Sequence, residues 1–524
     1  MISNLAKYRS ETLVERSCNV CILGGGTAGL FLAQSLKDTG ISVIIIELGG
    51  ASTRDADSSF KTPNFTNQIY RGAQKGRVSG LGGTSSKWGG QMIGLRESDF
   101  NLHDGVPDKV TWPVSKQELE PFYKKVAATL GFDNPSFSFK NTKAYHIFDK
   151  SLLSDFFDIR ISNWIPFRKR NFSHAFGKIL SKKENIEIWT NTKLSSFKNA
   201  VWEENRLSEL TLCGPDRQRL VVTSDYFVLT MGAIETTKYV SQIMALRGLY
   251  HPFESPFCDH ISSSVGYLRL KDKKAFLTTF SPFFVKNIIK KIRFEFRYEA
   301  QVTNQIASAF VHFVTQHKEG STLDIIRTFA RKLQGEPVAI RWRDVDYKML
   351  VKDLISIIFW RIFRGKLILN HGDTIEVLVD VEQRPEKENR ICVQGDDVNI
   401  DWNVTRSNRQ AINNVSVSFR DHWNNSPELS AMGIVELEEN TNLINYYDVY
   451  HPTGSLPFGV DEDTSILDPN LRVWCARNIY ASSTAVFPTG GSSNPGFTHL
   501  ALTQRLAEHL HLKILEADTH NMTS

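Results

Sequence analysis

Apolar positions along the chain follow two spacings. Val20 to Leu23 is a short continuous apolar run; Leu30, Leu32, Ala33 and Leu36 recur at helical spacing; Val43 to Ile46 is a second run that stops at Glu47. Strand, helix and strand in that order make the unit of a parallel sheet, since parallel neighbours need a crossover between them. Further on, Trp112-Pro113 opens a helix that Ser115 can cap, with Glu118 three residues later and an apolar face of Leu119, Phe122, Val126 and Leu130. Strand patterns follow over Ile186 to Lys198, Leu207 to Val222 and Tyr226 to Met231, the last broken by Gly232-Ala233 before a helical IETTKYVSQ. From Cys258 to Tyr447, strand-like runs (Val265–Leu270, Ala307–Thr315, Thr374–Val381) mix with helices and predict a second, α+β domain. Asn478 to Leu510 reads as a strand, a Pro-Gly-rich turn and a long amphipathic helix, with a disordered tail expected over 516–524.

The first apolar run leads into Gly24, Gly26, Thr27 and Gly29, in the order G-x-G-x-x-G. The first glycine permits a tight turn, the second lets backbone N–H groups approach a pyrophosphate, and the third lets helix and strand pack closely. The helix N-terminus adds unpaired donors and a positive dipole end. Glu47 stands where a carboxylate accepts hydrogen bonds from an adenosine ribose. Together these predict a dinucleotide site.

Composition changes this picture little. At 524 residues, 41% hydrophobic and 23% charged, the chain fits a globular protein of two to three domains. The N-terminal MISNLAKYRSETLVERS has no run of signal-peptide length, and no apolar stretch is long enough to span a bilayer, so a cytoplasmic location is expected. Six scattered cysteines fit a reducing compartment, and Cys18 and Cys21 read as strand residues, with no metal expected. Charge adds one feature. Between Lys286 and Lys366 there are 16 Lys+Arg against 8 Asp+Glu, around the apolar helical segment Met349 to Phe363. This reads as a core helix with a solvated basic flank. The competing reading is peripheral membrane contact through 286–366, or an entrance for an acidic or lipid-linked substrate. No nucleic-acid motif accompanies the charge.

Two further glycine-rich stretches carry candidate chemistry. Arg71 to Gly94 is too rich in glycine for a helix or central strand, and its Thr84, Ser85, Trp88 and Gln91 suit a flat ligand with polar edges. Late in the chain His451-Pro-Thr-Gly454 and Asn494-Pro495 are turns holding an isolated histidine and an isolated asparagine.

These stretches together resemble the glucose–methanol–choline (GMC) family of FAD-dependent oxidoreductases. The resemblance runs through the Gly24 turn, GLGGTSSKWGG with ESDF, WPVSKQELEPFY, LTMGAIETTK, Asp259-His260, VEQRPEKENRI, HPTGSLPFG and FPTGGSSNPGFTH, and is weakest over 264–370. It is closest to bacterial sugar-oxidising members, similar to the pyranose 2-oxidases. It implies an α/β fold: a doubly wound, Rossmann-like FAD-binding domain (15–100, 185–262, 465–515) interrupted by an α+β substrate domain with a mixed or antiparallel sheet (101–184, 263–464). It implies FAD, with the Gly24 turn and Glu47 on the ADP half and Gly82, Gly83, Thr84, Ser85 and Trp88 beside the ring and pyrophosphate. Gly232 and Ala233 would line the nucleotide, and Ser483, Thr484 and Pro495 the rest. Family members carry Asp, then Gly or Ala, where this chain has Ser483 and Thr484. Lys87 stands where covalently flavinylated members have histidine, which implies non-covalent FAD.

Oxidising an alcohol sends hydride from carbon to flavin N5 and a proton from oxygen to a base, a role suited to histidine with a pKa near working pH. The resemblance assigns His451 as that base, Asn494 as the partner of the substrate oxygen, and Gln383 as a sugar contact. His499, where the family has an aliphatic residue, reads as packing. The implied activity is oxidation of a CH–OH group, on a sugar or sugar-derived alcohol, with oxygen, a quinone or a protein as acceptor. A flavin-containing lyase of the same family and a membrane-surface protein with a vestigial flavin site remain as alternatives.

Overall fold

The computed structural model describes residues 1–55, 60–100, 111–132, 154–249, 255–315, 321–334, 338–339, 345–368, 372–439 and 444–523. Two nine-stranded sheets organise them. In the first, Ile2–Asn4, Ile186–Thr190, Val43–Ile46, Leu13–Leu23 and Arg219–Leu229 lie side by side, all parallel, and Arg206–Cys213 continues antiparallel. The central strands are continuous apolar runs because both faces are covered, and Val20 to Leu23 and Val43 to Ile46 are almost wholly buried. Helix Thr27–Leu36 and the C-terminal helix Gly496–Thr523 pack against each other on this sheet. Cys18 and Cys21 are buried strand residues, and burial pushes the Cys18 thiol up to about 12.

The second sheet is antiparallel throughout, in the order Gly433–Leu437, His260–Leu270, Thr374–Glu382, Ala309–Val314, Ile288–Phe296, Phe157–Trp164 and Gln91–Met92. One face lies under helix Arg406–Asn425, whose Phe419 and Trp423 pack among Phe276, Phe280, Phe294 and Phe313. The chain is thus α/β, a doubly wound parallel sheet beside a second layer built on an antiparallel one. Gln91–Met92 joins the second sheet although it precedes the expected boundary at 100, and the residues next to that boundary, 101–110, lie outside the described set.

Ser115 caps helix Lys116–Leu130 as expected, its Oγ accepting from the Glu118 N–H at 3.1 Å. Two expectations fail. Of the tail expected over 516–524, the residues as far as Thr523 belong to the last helix, since no Gly or Pro interrupts it after Gly496 and Lys513 pairs with Glu516 one turn on; residue 524 lies outside the described residues. Nor is Met349 to Phe363 a core helix. Helix Tyr347–Arg364 buries only Asp353, which accepts a hydrogen bond from Thr322, and leaves Ile355, Ile362 and Phe363 exposed by 64%, 68% and 69%. Its apolar residues encircle the axis, so one contacting helix, Thr322–Leu333, covers only a small part of them.

Candidate active site

The glycine turn is built as its spacing requires. A Cβ on Gly29 would lie 1.9 Å from the Gly24 carbonyl oxygen, so the helix can start against the strand only with glycine there. The second glycine loop docks on the first: Gly82 donates to the Gly25 carbonyl at 2.9 Å, and Thr84 Oγ1 lies 3.3 Å from Thr27 Oγ1. Between these loops, the turn Thr230–Gly232 that follows strand Arg219–Leu229 and the two late turns opens a cavity of about 650 Å³. Gly24, Gly26, Thr27, Glu47, Gly83, Thr84, Lys87, Trp88, Gly232, Ala233, Thr484 and Pro495 reach its wall, as do His451 and Asn494.

Four expected cofactor residues stand behind that wall. Gly29 is in the strand–helix packing. The Gly82 amide holds the loop. Ser85 Oγ donates to the Gly82 carbonyl and accepts from the Phe172 N–H, and Ser483 Oγ accepts from the Ala485 N–H. Gln383, expected to touch substrate, is buried: its carboxamide accepts from Trp402 Nε1 and the Asp259 N–H and donates to Asn403 and Asn408. With its donors and acceptor engaged, Gln383 ties together the Asp259 and Asn403 loops and lines neither of the site's two cavities. Glu47 does reach the cavity, but its carboxylate already accepts from Gly25, Gly49 and Gly80 N–H groups, leaving room for about one further donor. Burial raises its pKa against those three donors.

The histidine environment is the part least visible in the chain. His451 Nδ1 lies 3.1 Å from His260 Nδ1, and His260 Nε2 lies 2.5 Å from the Gly491 carbonyl oxygen. A carbonyl only accepts, so His260 carries its proton on Nε2 and accepts at Nδ1. His451 must then donate from Nδ1, which leaves its Nε2 as a free base. Burial, then the neighbouring His260, pull His451 down to about 3, lower than the near-neutral value expected, so the imidazole is neutral at ordinary pH. Asp259 accepts from the His260 and His451 backbone N–H groups and from the Tyr70 hydroxyl, and burial pushes its carboxyl up to about 8. The ligand atoms of Asp259, His260 and His451 lie within 4.8 Å of one another, but the contacts just given already engage both carboxylate oxygens, both His260 nitrogens and His451 Nδ1.

Asn494 is placed by ion pairs beneath its turn. Arg160, buried, donates to Ser493 Oγ, the Gly94 carbonyl and Glu295; Ser492 donates to Glu295, and the Gly491 N–H to Glu382. Gly491 has φ +57° and its Cβ would meet Leu95 and Asp99, so no other residue fits. His499, read from the chain as packing, faces the cavity instead. One ring nitrogen bonds the Ser482 backbone, Nε2 is buried without a partner among the described residues, and burial lowers its pKa to about 4.

A second cavity of about 380 Å³ opens on the other side of the pair, sharing His451, Asn494, Gln91, Trp164 and Val449 with the first. Its floor is the open face of the antiparallel sheet: Lys291 and Arg293, Phe310 and His312, and Asp380. Sequence reasoning missed these residues, although Lys291, Arg293 and Glu295 alternate with Ile292, Phe294 and Phe296 at the strand period.

Residues 385–503 match the model of the family described as GMC oxidoreductase. Over these residues the chain is similar to a GMC oxidoreductase domain. It spans about half the length of the first curated relative, the fructose dehydrogenase large subunit of Gluconobacter japonicus: 22% identity over 299 residues, 44% of this chain and 54% of that protein. Among solved structures, pyridoxine 4-oxidase from Mesorbium loti superposes with a TM-score of 0.59 at 16% identity, over 94% of this chain and 99% of its own. Formate oxidase of Aspergillus oryzae RIB40 superposes with a TM-score of 0.54 at 14% identity, over 97% and 99%. These likenesses establish a shared fold around the GMC domain.

Proposed function

We propose that this protein is an FAD-dependent oxidoreductase that oxidises a CH–OH group, on a sugar or sugar-derived alcohol, to a carbonyl. The observation that carries the reading is the position of His451 and Asn494 on the wall common to both cavities. FAD fits the larger one: a Cβ on Gly232 would meet nothing within 4 Å and one on Gly26 only the Thr230 carbonyl at 4.0 Å, so both glycines leave the floor clear, and the orphaned His499 Nε2 awaits a donor. Gly24, Gly26, Thr27 and the helix behind them suit the pyrophosphate, Glu47 the ribose, and Thr84, Trp88, Gly232, Ala233, Thr484 and Pro495 the remainder. Lys87, in place of histidine, favours non-covalent attachment, whereas the Aspergillus formate oxidase is described with an FAD modification.

Bound FAD would supply the hydride acceptor. The chain supplies the rest. His451 Nε2 takes the hydroxyl proton while its Nδ1–H keeps the hydrogen bond to His260, so the ring cannot rotate away. Asn494 donates to the substrate oxygen and stabilises the negative charge that develops there. The test is anaerobic addition of sugars and polyols to the yellow holoenzyme. Bleaching of its visible absorbance, slowed on the order of 10²-fold or more in His451→Ala with FAD still bound, supports the reading; bleaching at the wild-type rate sinks the base assignment. A lyase of the family would convert its substrate with no bleaching.

A second feature favours peripheral membrane contact. Helix Tyr347–Arg364 exposes Ile355, Ile358, Phe359, Ile362 and Phe363 and also carries Lys348, Lys352, Arg361 and Arg364, a combination that suits an anionic lipid surface. Among the described residues no helix is long and apolar enough to cross a membrane. Sedimentation with phosphatidylserine vesicles but not phosphatidylcholine ones, lost in Ile362→Ser/Phe363→Ser, supports the contact.

A further inference from the structure

The second cavity has no assignment beyond its nearness to His451 and Asn494, and its charge is unusual for a neutral-sugar site. Arg293 is buried, with 3% of its surface exposed, and stands over Phe310 with Cζ 3.9 Å from the ring centroid. Its Nε lies 2.9 Å from Glu295, but Nη1 and Nη2 have no hydrogen-bond partner among the described residues. A buried guanidinium with neither terminal nitrogen bonded to the protein calls for a partner, and the cavity that it lines is where one would stand.

The nearest carboxylate is shared. Glu295 sits between three guanidiniums, 2.9 Å from Arg293, 3.2 Å from Arg160 and 3.8 Å from Arg96; Arg96 also leans on Asp99 at 3.7 Å. In these close pairs three cations share two anions, while Asp380 acts on both Arg293 and Lys291 across the cavity floor. Asp380, on the cavity floor, lies 3.3 Å from His312, which helps to hold its carboxyl below the ordinary range against burial. Lys291 adds a further ammonium on the same strand face as Arg293, two residues away, donating to the Phe313 carbonyl at 3.0 Å with capacity for further bonds.

We infer that the substrate is an anion: its carboxylate or phosphate pairs with the terminal nitrogens of Arg293 and with Lys291, and this holds its hydroxyl between His451 and Asn494. Planar guanidinium matches a carboxylate through two parallel N–H···O bonds, and the Phe310 ring packs against the Arg293 guanidinium. Burial brings the Lys291 ammonium down to about 8 and Arg293 to about 10, so both are cations at neutral pH and both gain from an incoming negative charge. The basic excess noted between Lys286 and Lys366 thus has part of its use inside the protein, on a cavity wall. This rests on the oxidoreductase reading for the fate of the hydroxyl, but not for the anion site itself.

The test uses FAD-loaded protein and four probes: acetate, gluconate, inorganic phosphate and glucose. Calorimetric binding is measured for wild type, Arg293→Met and Lys291→Met, alongside anaerobic bleaching by gluconate, glucose 6-phosphate and glucose. At least one anion should bind ten or more times tighter than glucose, and Arg293→Met should abolish that preference; Lys291→Met should weaken it several-fold and serves if Arg293→Met does not fold. Carboxylates ahead of phosphate identify the group as a carboxylate, and the reverse order as a phosphate. No anion preference in wild type, or a preference undiminished in both variants, overturns the inference. Anion binding with no bleaching by any alcohol leaves the anion site standing and defeats the oxidation reading; bleaching by glucose without anion preference does the opposite.

Discussion

The two cavities on either side of His451 and Asn494 are made of different material. The larger brings nine glycines to its wall, Gly24, Gly26, Gly83 and Gly232 among them, beside large side chains such as Trp88 and Tyr239. The smaller is walled by long charged and aromatic side chains standing on three antiparallel strands, Lys291, Arg293, Phe310, His312 and Asp380 among them. A cofactor with an invariant pyrophosphate is held by amides, which any sequence can supply once glycines admit it. A substrate is selected by side chains, which can change while the sheet beneath them does not. The difference teaches where each kind of information is stored: in turn geometry on one side, in strand alternation on the other.

The largest expected effect breaks the backbone-walled side. Gly29→Val places a Cβ where the Gly24 oxygen lies 1.9 Å away, so the strand and helix must separate; the purified variant should be colourless and unable to take up added FAD in a reconstitution assay. On the shared wall, His260→Ala removes the acceptor that orients His451 Nδ1. Flavin reduction should slow on the order of 10- to 100-fold with FAD affinity unchanged, and His260→Asn, which restores an acceptor, should recover part of the rate. An equal loss of FAD from His260→Ala would show that the wall between the cavities is not divided as described. Glu47→Gln replaces an oxygen that accepts from backbone N–H groups by a group that donates, so FAD affinity should fall on the order of tenfold, read by equilibrium dialysis, with the reduction rate of the bound form unchanged.

The smallest effect sharpens the comparison through pH. His499 has its folded-state pKa pulled down to about 4, against about 6.5 in an unfolded chain, so protonation favours unfolding as pH falls through that window. His499→Leu lacks the penalty. Its melting temperature, measured without FAD, should drop less than that of wild type between pH 7 and pH 5, a relief of order 1–2 kcal/mol. An identical drop in both proteins would mean that the ring is not buried and neutral.

The parallel sheet was legible because each of its signals is local. Val20 to Leu23, the glycine spacing and Val43 to Ile46 lie within thirty residues and obey rules of backbone sterics. Helix Lys116–Leu130 was legible for the same reason, through Ser115 and its apolar face. The apolar segment Met349 to Phe363 misled, because hydrophobicity says that a helix wants cover and not whether cover exists. Gln383 misled for another reason: position in a family pattern carries no account of the Trp402, Asp259, Asn403 and Asn408 groups that occupy its carboxamide.

By itself the sequence determined the doubly wound unit and its glycine turns, since these follow from neighbours a few positions apart; the late histidine and asparagine were singled out by the family resemblance. Only the tertiary structure decided that His260 touches His451 across 191 residues, that the Gln383 carboxamide is taken up by the scaffold, that His499 faces the cavity, and that Arg293 lies buried with two nitrogens that no described residue pairs. Protonation state, tautomer and charge balance depend on what surrounds a group in space, and those surroundings come from strands far apart in the chain.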